Sequence, residues 1–244
     1  MGRAPRTFII AEAGINHNGS LKLEKKLVDI SIKAGADAVK FQTFKADNVI
    51  SVFANKLNYQ KNNNKDKQSQ LEMLKSVELS DLDHVELHKY CKRKKIIFMS
   101  TPKDIDSARF LNKIGTSIFK IGSGEAINYE LIREISTYKK KVIISTGMCT
   151  LEEVNKIYNI FKKNKRQLSL LHCTTLYPCP VADCNLLSIK YLQKKLPVEI
   201  GFSDHTIGID ASIAAVCLGA KIIEKHITTN NKLSGPDHKT SLNY

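Results

Sequence analysis

The sequence predicts an α/β fold and, within that class, a single (β/α)8 TIM barrel over residues 1–244. Three observations predict it: eight short apolar runs, amphipathic stretches of helical period between them, and chemically able side chains at the carboxyl ends of the runs. The runs are Thr7 to Ala13, Ala38 to Phe44, Ile96 to Thr101, Ser117 to Ser123, Lys141 to Thr146, Leu168 to Thr174, Val198 to Ser203 and Lys221 to Ile227. Most are apolar throughout rather than alternating, as expected of parallel strands covered on both faces. Repeated βα units imply a parallel sheet, and eight of them favour closure into a barrel.

The stretches between the runs carry helix punctuation. Ser80-Asp81-Leu82-Asp83 and Thr150-Leu151-Glu152-Glu153 read as amino-terminal caps, and Gly35 and Gly219 as stops. Lys45 to Ser80 breaks the spacing, being long and Asn- and Lys-rich around Tyr59 to Asn64; after a strand's carboxyl end it reads as a functional loop. A doubly wound sheet is the competing architecture, prompted by Gly122-Ser123-Gly124. The third glycine of a dinucleotide fingerprint would fall at Ile127, so that reading fails. Little chain follows the eighth run, so the last helix is expected to be missing or incomplete.

The 38 basic and 24 acidic side chains leave a formal charge of +14. The densest basic runs, Lys92 to Lys95, Lys139 to Lys141, Lys162 to Arg166 and Lys194-Lys195, lie just upstream of apolar runs, where helices end. There they complement the negative helix pole on the face opposite a barrel's active site. With 7% aromatic residues and no Trp, nucleic-acid binding is not expected. No apolar run reaches the ~18 residues of a membrane span, and MGRAPRTFII resembles neither a signal peptide nor a myristoylation site, so a cytoplasmic location is expected. Six cysteines without a CxxC pair read as reduced thiols; zinc-ribbon or redox chemistry would need close pairs.

Polar residues recur at the run ends: Glu12; Lys40 and Gln42; Ser100 and Thr101; Lys120, Ser123 and Glu125; Ser145 and Thr146; His172 and Thr174; Ser203 and His205; Glu224 and His226. In a parallel barrel these ends converge on one mouth. Ser203 and His205, like Glu224 and His226, are two apart and so share a side of their strand. Two neutral imidazoles from neighbouring strands suit Mn²⁺, Fe²⁺, Co²⁺ or Zn²⁺ and leave coordination positions open. Lys40 and Lys120 with the hydroxyls of Thr101, Ser123, Ser145 and Ser203 suit a phosphate and a carboxylate. His84 and His88 lack the H-E-x-x-H spacing and read as a solvated helix face.

The ordered series Ala11-Glu12-Ala13-Gly14-Ile15-Asn16-His17-Asn18-Gly19, Val39-Lys40-Phe41-Gln42-Thr43-Phe44, Lys120-Ile121-Gly122-Ser123-Gly124-Glu125, Ser145-Thr146-Gly147-Met148, His172-Cys173-Thr174, Phe202-Ser203-Asp204-His205-Thr206, Glu224-Lys225-His226 and Gly235-Pro236-Asp237-His238-Lys239 resembles the sialic acid synthase family. The resemblance covers almost the whole chain and looks nearer to the N-acetylneuraminate and legionaminate branches than to the pseudaminate branch. It implies metal-dependent condensation of phosphoenolpyruvate with N-acetylmannosamine or a related N-acyl amino sugar, releasing phosphate. His205 and His226 would hold the metal, Mn²⁺ first, with Mg²⁺ or Co²⁺ as alternatives. Lys40, Thr101, Lys120, Ser123, Ser145 and Ser203 would hold phosphoenolpyruvate. Gln42, Glu125, Tyr177 and Glu224 would face the sugar, with Glu12, Glu125 and Glu224 as the catalytic carboxylates. Family members continue with a closing helix and an antifreeze-like domain that reaches a dimer partner's site. Because this chain stops at Tyr244, it is read as a fragment or shortened homologue, a homodimer if it follows the family. Another phosphoenolpyruvate-dependent ulosonate synthase and a noncatalytic binding barrel are the alternatives.

Overall fold

The structure is a computed structural model that describes residues 6–55 and 69–244. The expected loop around Tyr59 to Asn64 lies outside the described residues. The eight expected strands are β1 (Phe8–Gly14), β2 (Ala38–Thr43), β3 (Ile97–Pro102), β4 (Ile118–Ile121), β5 (Lys141–Ser145), β6 (Leu168–Cys173), β7 (Glu199–Asp204) and β8 (Ile222–Thr228), each within two residues of its expected bounds. Helices α1 (Leu21–Lys33), α2 (Ala46–Val49), α3 (Gln70–Ser76), α4 (Asp81–Lys94), α5 (Ile105–Lys113), α6 (Tyr129–Ser136), α7 (Leu151–Phe161), α8 (Leu187–Lys195) and α9 (Asp210–Cys217) lie between them. Strands follow sequence order and β1 also pairs with β8, which makes the fold a (β/α)8 barrel. No helix among the described residues is long and apolar enough to cross a membrane.

The helix signals read from the sequence form as caps. Ser80 and Thr150 each accept a bond from the backbone N–H three residues on, and Asp83 and Glu153 accept one from the cap's own N–H. Lys92, Arg93 and Lys94 fill the last turn of α4, and Lys194 and Lys195 that of α8, opposite in sign to the exposed carbonyls. The segment from Lys45 to Ser80 is not all loop, because α2 and α3 form within it. Their apolar residues Ala46, Val49, Leu71 and Leu74 pack with Ile15, Phe44 and Val77 in a small core of their own.

The chain divides into two compact units, residues 1–10 with 118–225 and residues 11–117 with 226–244. In the first, β4 to β8 run parallel in continuous register, from Ile118 opposite Lys141 to Asp204 opposite Lys225. Phe119, Ile121, Val142, Ile144, Leu170 and Phe202 are buried there. Removing each such side chain from water contributes about 2 kcal/mol. The Phe8 N–H donates to the Lys221 carbonyl, joining the start of β1 to this unit.

In the second unit β2 and β3 pair along their full length, Ala38 opposite Ile97 through Thr43 opposite Pro102. Val39, Phe41, Phe98, Leu27 and Leu87 form its core, with the Phe41 and Phe98 rings stacked at 6.0 Å. After β8 the described chain forms a 3-10 turn at His238–Thr240 and the two-residue strand β9 (Leu242–Asn243), parallel to β8. Asn16 ties this end down, donating to Ile227 O and to Ser241 Oγ, both at 2.8 Å.

Candidate active site

In the first unit a chain of polar contacts runs across four strand ends. Lys120, the third residue of β4, is 2% exposed, and its Nζ donates to Ser145 Oγ of β5 at 2.7 Å and to its neighbour's carbonyl, Ile121 O, at 2.9 Å. Glu224 Oε1 of β8 lies 3.6 Å from that ammonium and accepts from Ser203 Oγ of β7 at 2.9 Å. A lysine reaches full burial here only because two oxygens and a nearby carboxylate replace its water. Ser123, in the 3-10 turn after β4, accepts from the Gly147 N–H at 3.0 Å, and Glu125 closes the same turn half-buried.

His205, just past β7, is fixed by its surroundings. Its Nδ1 faces the Thr174 carbonyl at 2.7 Å, which only accepts, so Nδ1 carries the proton and Nε2 keeps its lone pair. The Tyr177 hydroxyl donates to that Nε2 at 3.0 Å, its ring 4.1 Å from the imidazole. Burial holds the His205 pKa below the usual histidine value, so the ring is neutral. A neutral imidazole whose other nitrogen is anchored on a carbonyl has the form of a divalent-metal ligand. Among the described residues no group of three or more His, Cys, Asp or Glu is arranged to hold a metal, and the two-imidazole set expected here is smaller than that.

In the second unit Lys40 of β2 is 4% exposed and paired with Glu12 of β1 at 2.6 Å; its Nζ also donates to Thr101 Oγ1 of β3 at 3.2 Å. Gln42 is half-buried two residues further along β2, and His226 is buried on β8. Gly14 has φ +53°, and a Cβ there would come within 3.1 Å of Glu12 Oε1, so glycine leaves the carboxylate its room.

Strand alternation sorts the remaining candidates. Ser100 bonds Thr43 Oγ1 at 2.7 Å, and Thr43 in turn bonds His84 Nε2 of α4 at 2.9 Å. Ser100 therefore faces the helix layer, one residue out of phase with Thr101. His84 is buried among Thr43 and the Ser80 and Gln42 carbonyls, not solvated as its helix pattern suggests. His172 likewise turns outward, its Nε2 on Cys184 O at 2.7 Å and its ring stacked on Phe202. The neighbouring Cys173 takes the inner position, with Sγ 3.7 Å from His205 Nδ1 and bonds to Ser123 and Ser203; burial pushes its thiol up to about 11.

Three further residues, one beyond the last long strand and two within β7 and β8, join these sets. Asp237 is buried in the second unit, and burial raises its carboxyl to about 6 against the pull of Lys103 and Lys40. Only the motif Gly235-Pro236-Asp237-His238 signals it in the sequence. Asp204 and Lys225, paired at 3.0 Å on the outer face of β7 and β8, bind Ser212, Thr206 Oγ1 and the Thr206 carbonyl and so fix the strand ends that carry Ser203 and Glu224.

A (β/α)8 barrel with buried lysines, carboxylates and hydroxyls at its strand ends is an enzyme scaffold. The NeuB family profile matches residues 27–244, and the chain belongs to that family. It is 49% identical to the N,N'-diacetyllegionaminic acid synthase of Campylobacter jejuni over 97% of this chain and 72% of that protein. Identity to the synthase of the same name from Legionella pneumophila is 44%, over 99% of this chain and 69% of the relative. The crystal structure of a sialic acid synthetase from Leptospira borgpetersenii, in complex with citrate, superposes with a TM-score of 0.88 at 34% identity, covering 99% of this chain and 80% of that one.

Proposed function

We propose that this chain is a nonulosonate synthase that condenses phosphoenolpyruvate with an N-acylated amino sugar and releases phosphate. The observation that carries the reading is the Lys120 cluster, a buried ammonium held by the Ser145 hydroxyl and a backbone carbonyl. Such a cation, already desolvated and aimed, binds an enol phosphate without further reorganisation. The product name of the Campylobacter relative favours an acceptor bearing two acylated amines.

The proposed roles follow from the chemistry of each group. Lys40, Thr101, Lys120, Ser123, Ser145 and Ser203 would neutralise and orient the phosphate and carboxylate of phosphoenolpyruvate. Gln42, Glu125, Tyr177 and Glu224 bind sugar hydroxyl and amide groups. Glu12 holds the water that adds after the methylene carbon has attacked the open-chain aldehyde, and Asp237, near neutrality, donates or accepts at the sugar. Phosphate then leaves by cleavage of its C–O bond. His205 and His226 would hold a divalent metal, which supplies polarisation of the aldehyde oxygen. The neutral, carbonyl-anchored His205 fits that task.

The test is phosphate release by the purified protein with Mn²⁺ and phosphoenolpyruvate. Release with N-acetylmannosamine or a diacetamido hexose, and none with erythrose 4-phosphate or arabinose 5-phosphate, is the expected result. Release only with the sugar phosphates would move the chain to another class of ulosonate synthase, and none with any acceptor would leave a binding barrel.

A further inference from the structure

The loop that leaves β6 carries Tyr177 and then returns through a 3-10 turn, Val181–Cys184, before α8. It brings together two cysteines five residues apart. Cys179 Sγ and Cys184 Sγ lie 3.8 Å from each other, in van der Waals contact, and both are free thiols. Both are buried, at 4% and 1% exposure, beneath Pro180 to Asp183, which are all exposed. Each thiol donates weakly to the same acceptor, Pro180 O, at 3.3 and 3.7 Å. Among the described residues each sulfur has only this weak acceptor and the other sulfur, and a disulfide would need the gap to close to ~2.05 Å.

We propose that Cys179 and Cys184 form a dithiol modification site, oxidised to an intramolecular disulfide by small-molecule disulfides. One thiolate attacks a sulfur of the oxidant, releasing one thiol and leaving a mixed disulfide; the second thiolate displaces the remaining half. The two cysteines lose two protons and two electrons, and the oxidant is reduced to two thiols. Burial and the neighbouring thiol hold the Cys184 pKa above the usual thiol value, so exchange proceeds when the exposed Pro180–Asp183 cover opens.

The site sits where a cross-link would matter. The Cys179 N–H donates to the His205 carbonyl at 2.9 Å, and Tyr177, two residues earlier, holds His205 Nε2. At the other end of the cover, the Cys184 carbonyl receives His172 and the Asp183 carbonyl receives Thr174 Oγ1. A bond between the two sulfurs ties both ends of this segment beside His205. Resting on the proposed function, it raises KM for the sugar, and a dithiol reductant reverses the change.

The experiment treats the whole protein, under native conditions, with oxidised glutathione, then alkylates remaining thiols and cleaves on the amino side of Asp183. That cut separates Cys179 from Cys184. The expected result is that the two fragments stay joined until reduced, with two fewer alkylated thiols, and that Cys179→Ser and Cys184→Ser each abolish the joining. Fragments that separate without reduction, or joining that persists in Cys179→Ser, would overturn the site. A joined product with unchanged sugar KM keeps the site and overturns its effect on sugar binding.

Discussion

The two ends of the strands in the first unit are both basic, yet they differ in kind. At the starts of β5 to β8 lies an open cleft of about 710 Å³, lined by Lys141, Lys165, Arg166, Lys221 and Glu199 among others. At the carboxyl ends sits Lys120, with Ser145, Ser203 and Glu224. The first set is larger and carries more charge, but its lysines reach water; Lys141 is about a third exposed and answers Glu199 across the sheet. Water screens such charges, and each contributes little to holding a ligand. Lys120 has lost its water already and is aimed by two neutral oxygens beside the Glu224 carboxylate, so an anion would meet a desolvated cation. Site chemistry follows from burial with satisfied geometry rather than from cavity size or net charge.

The largest expected break in this contrast is Lys120→Ala. It should lower kcat/KM for phosphate release by roughly 10³-fold, about 4 kcal/mol of transition-state stabilisation, measured by steady-state kinetics at saturating sugar. A loss of under about tenfold would place the anion elsewhere.

A buried carboxyl without a cation should behave in the opposite way. Glu24 in the first turn of α1 is fully buried, 3.6 Å from His17 Nδ1, and burial raises its pKa to about 8. Since Nδ1 of His17 already accepts from the Gly19 N–H, and His17 is held down to about 3, that ring brings no positive charge. Asp83 opposes ionisation of Glu24 as well, and Lys25 favours it. The folded pKa lies above the unfolded one, so the folded state keeps a proton that the unfolded state releases. The contribution is complete below pH 4.5 and is lost as pH rises to about 8. Each unit in that window costs about 1.4 kcal/mol. Between pH 6 and pH 8 the protein should therefore lose about 3 kcal/mol more than Glu24→Gln, read from urea unfolding at both pH values. Parallel curves would show that Glu24 ionises freely.

Tyr177→Phe keeps the ring and removes the hydroxyl proposed to face the sugar, so about 1 kcal/mol is expected, seen mainly as a several-fold rise in sugar KM. The smallest effect belongs to the strand starts. Lys141→Ala and Lys221→Ala should change kcat/KM by less than about twofold, because only exposed charge is removed.

The sequence carried the strands clearly because parallel strands buried on both faces leave unbroken apolar runs, and all eight appear within two residues of their expected bounds. Strand-end polarity was equally legible, but phase was not. Ser100 and His172 share the strand ends with Thr101 and Cys173 yet face the helix layer, since one residue of shift turns a side chain over. In an all-apolar strand no alternation marks which face is inner. Asp237 was hidden for another reason: it lies in irregular chain beyond β8, where burial comes from packing and not from periodicity. The contact of Cys179 with Cys184 depends on the turn between them, which spacing alone does not reveal.

The central proposal, that His205 and His226 hold the metal of a nonulosonate synthase, is tested most directly by calorimetric titration of Mn²⁺ into the protein and into His205→Ala and His226→Ala. One ion bound per chain, weakened more than about a hundredfold by either substitution while the circular dichroism spectrum is kept, is the predicted result. Undiminished affinity in either variant would contradict it.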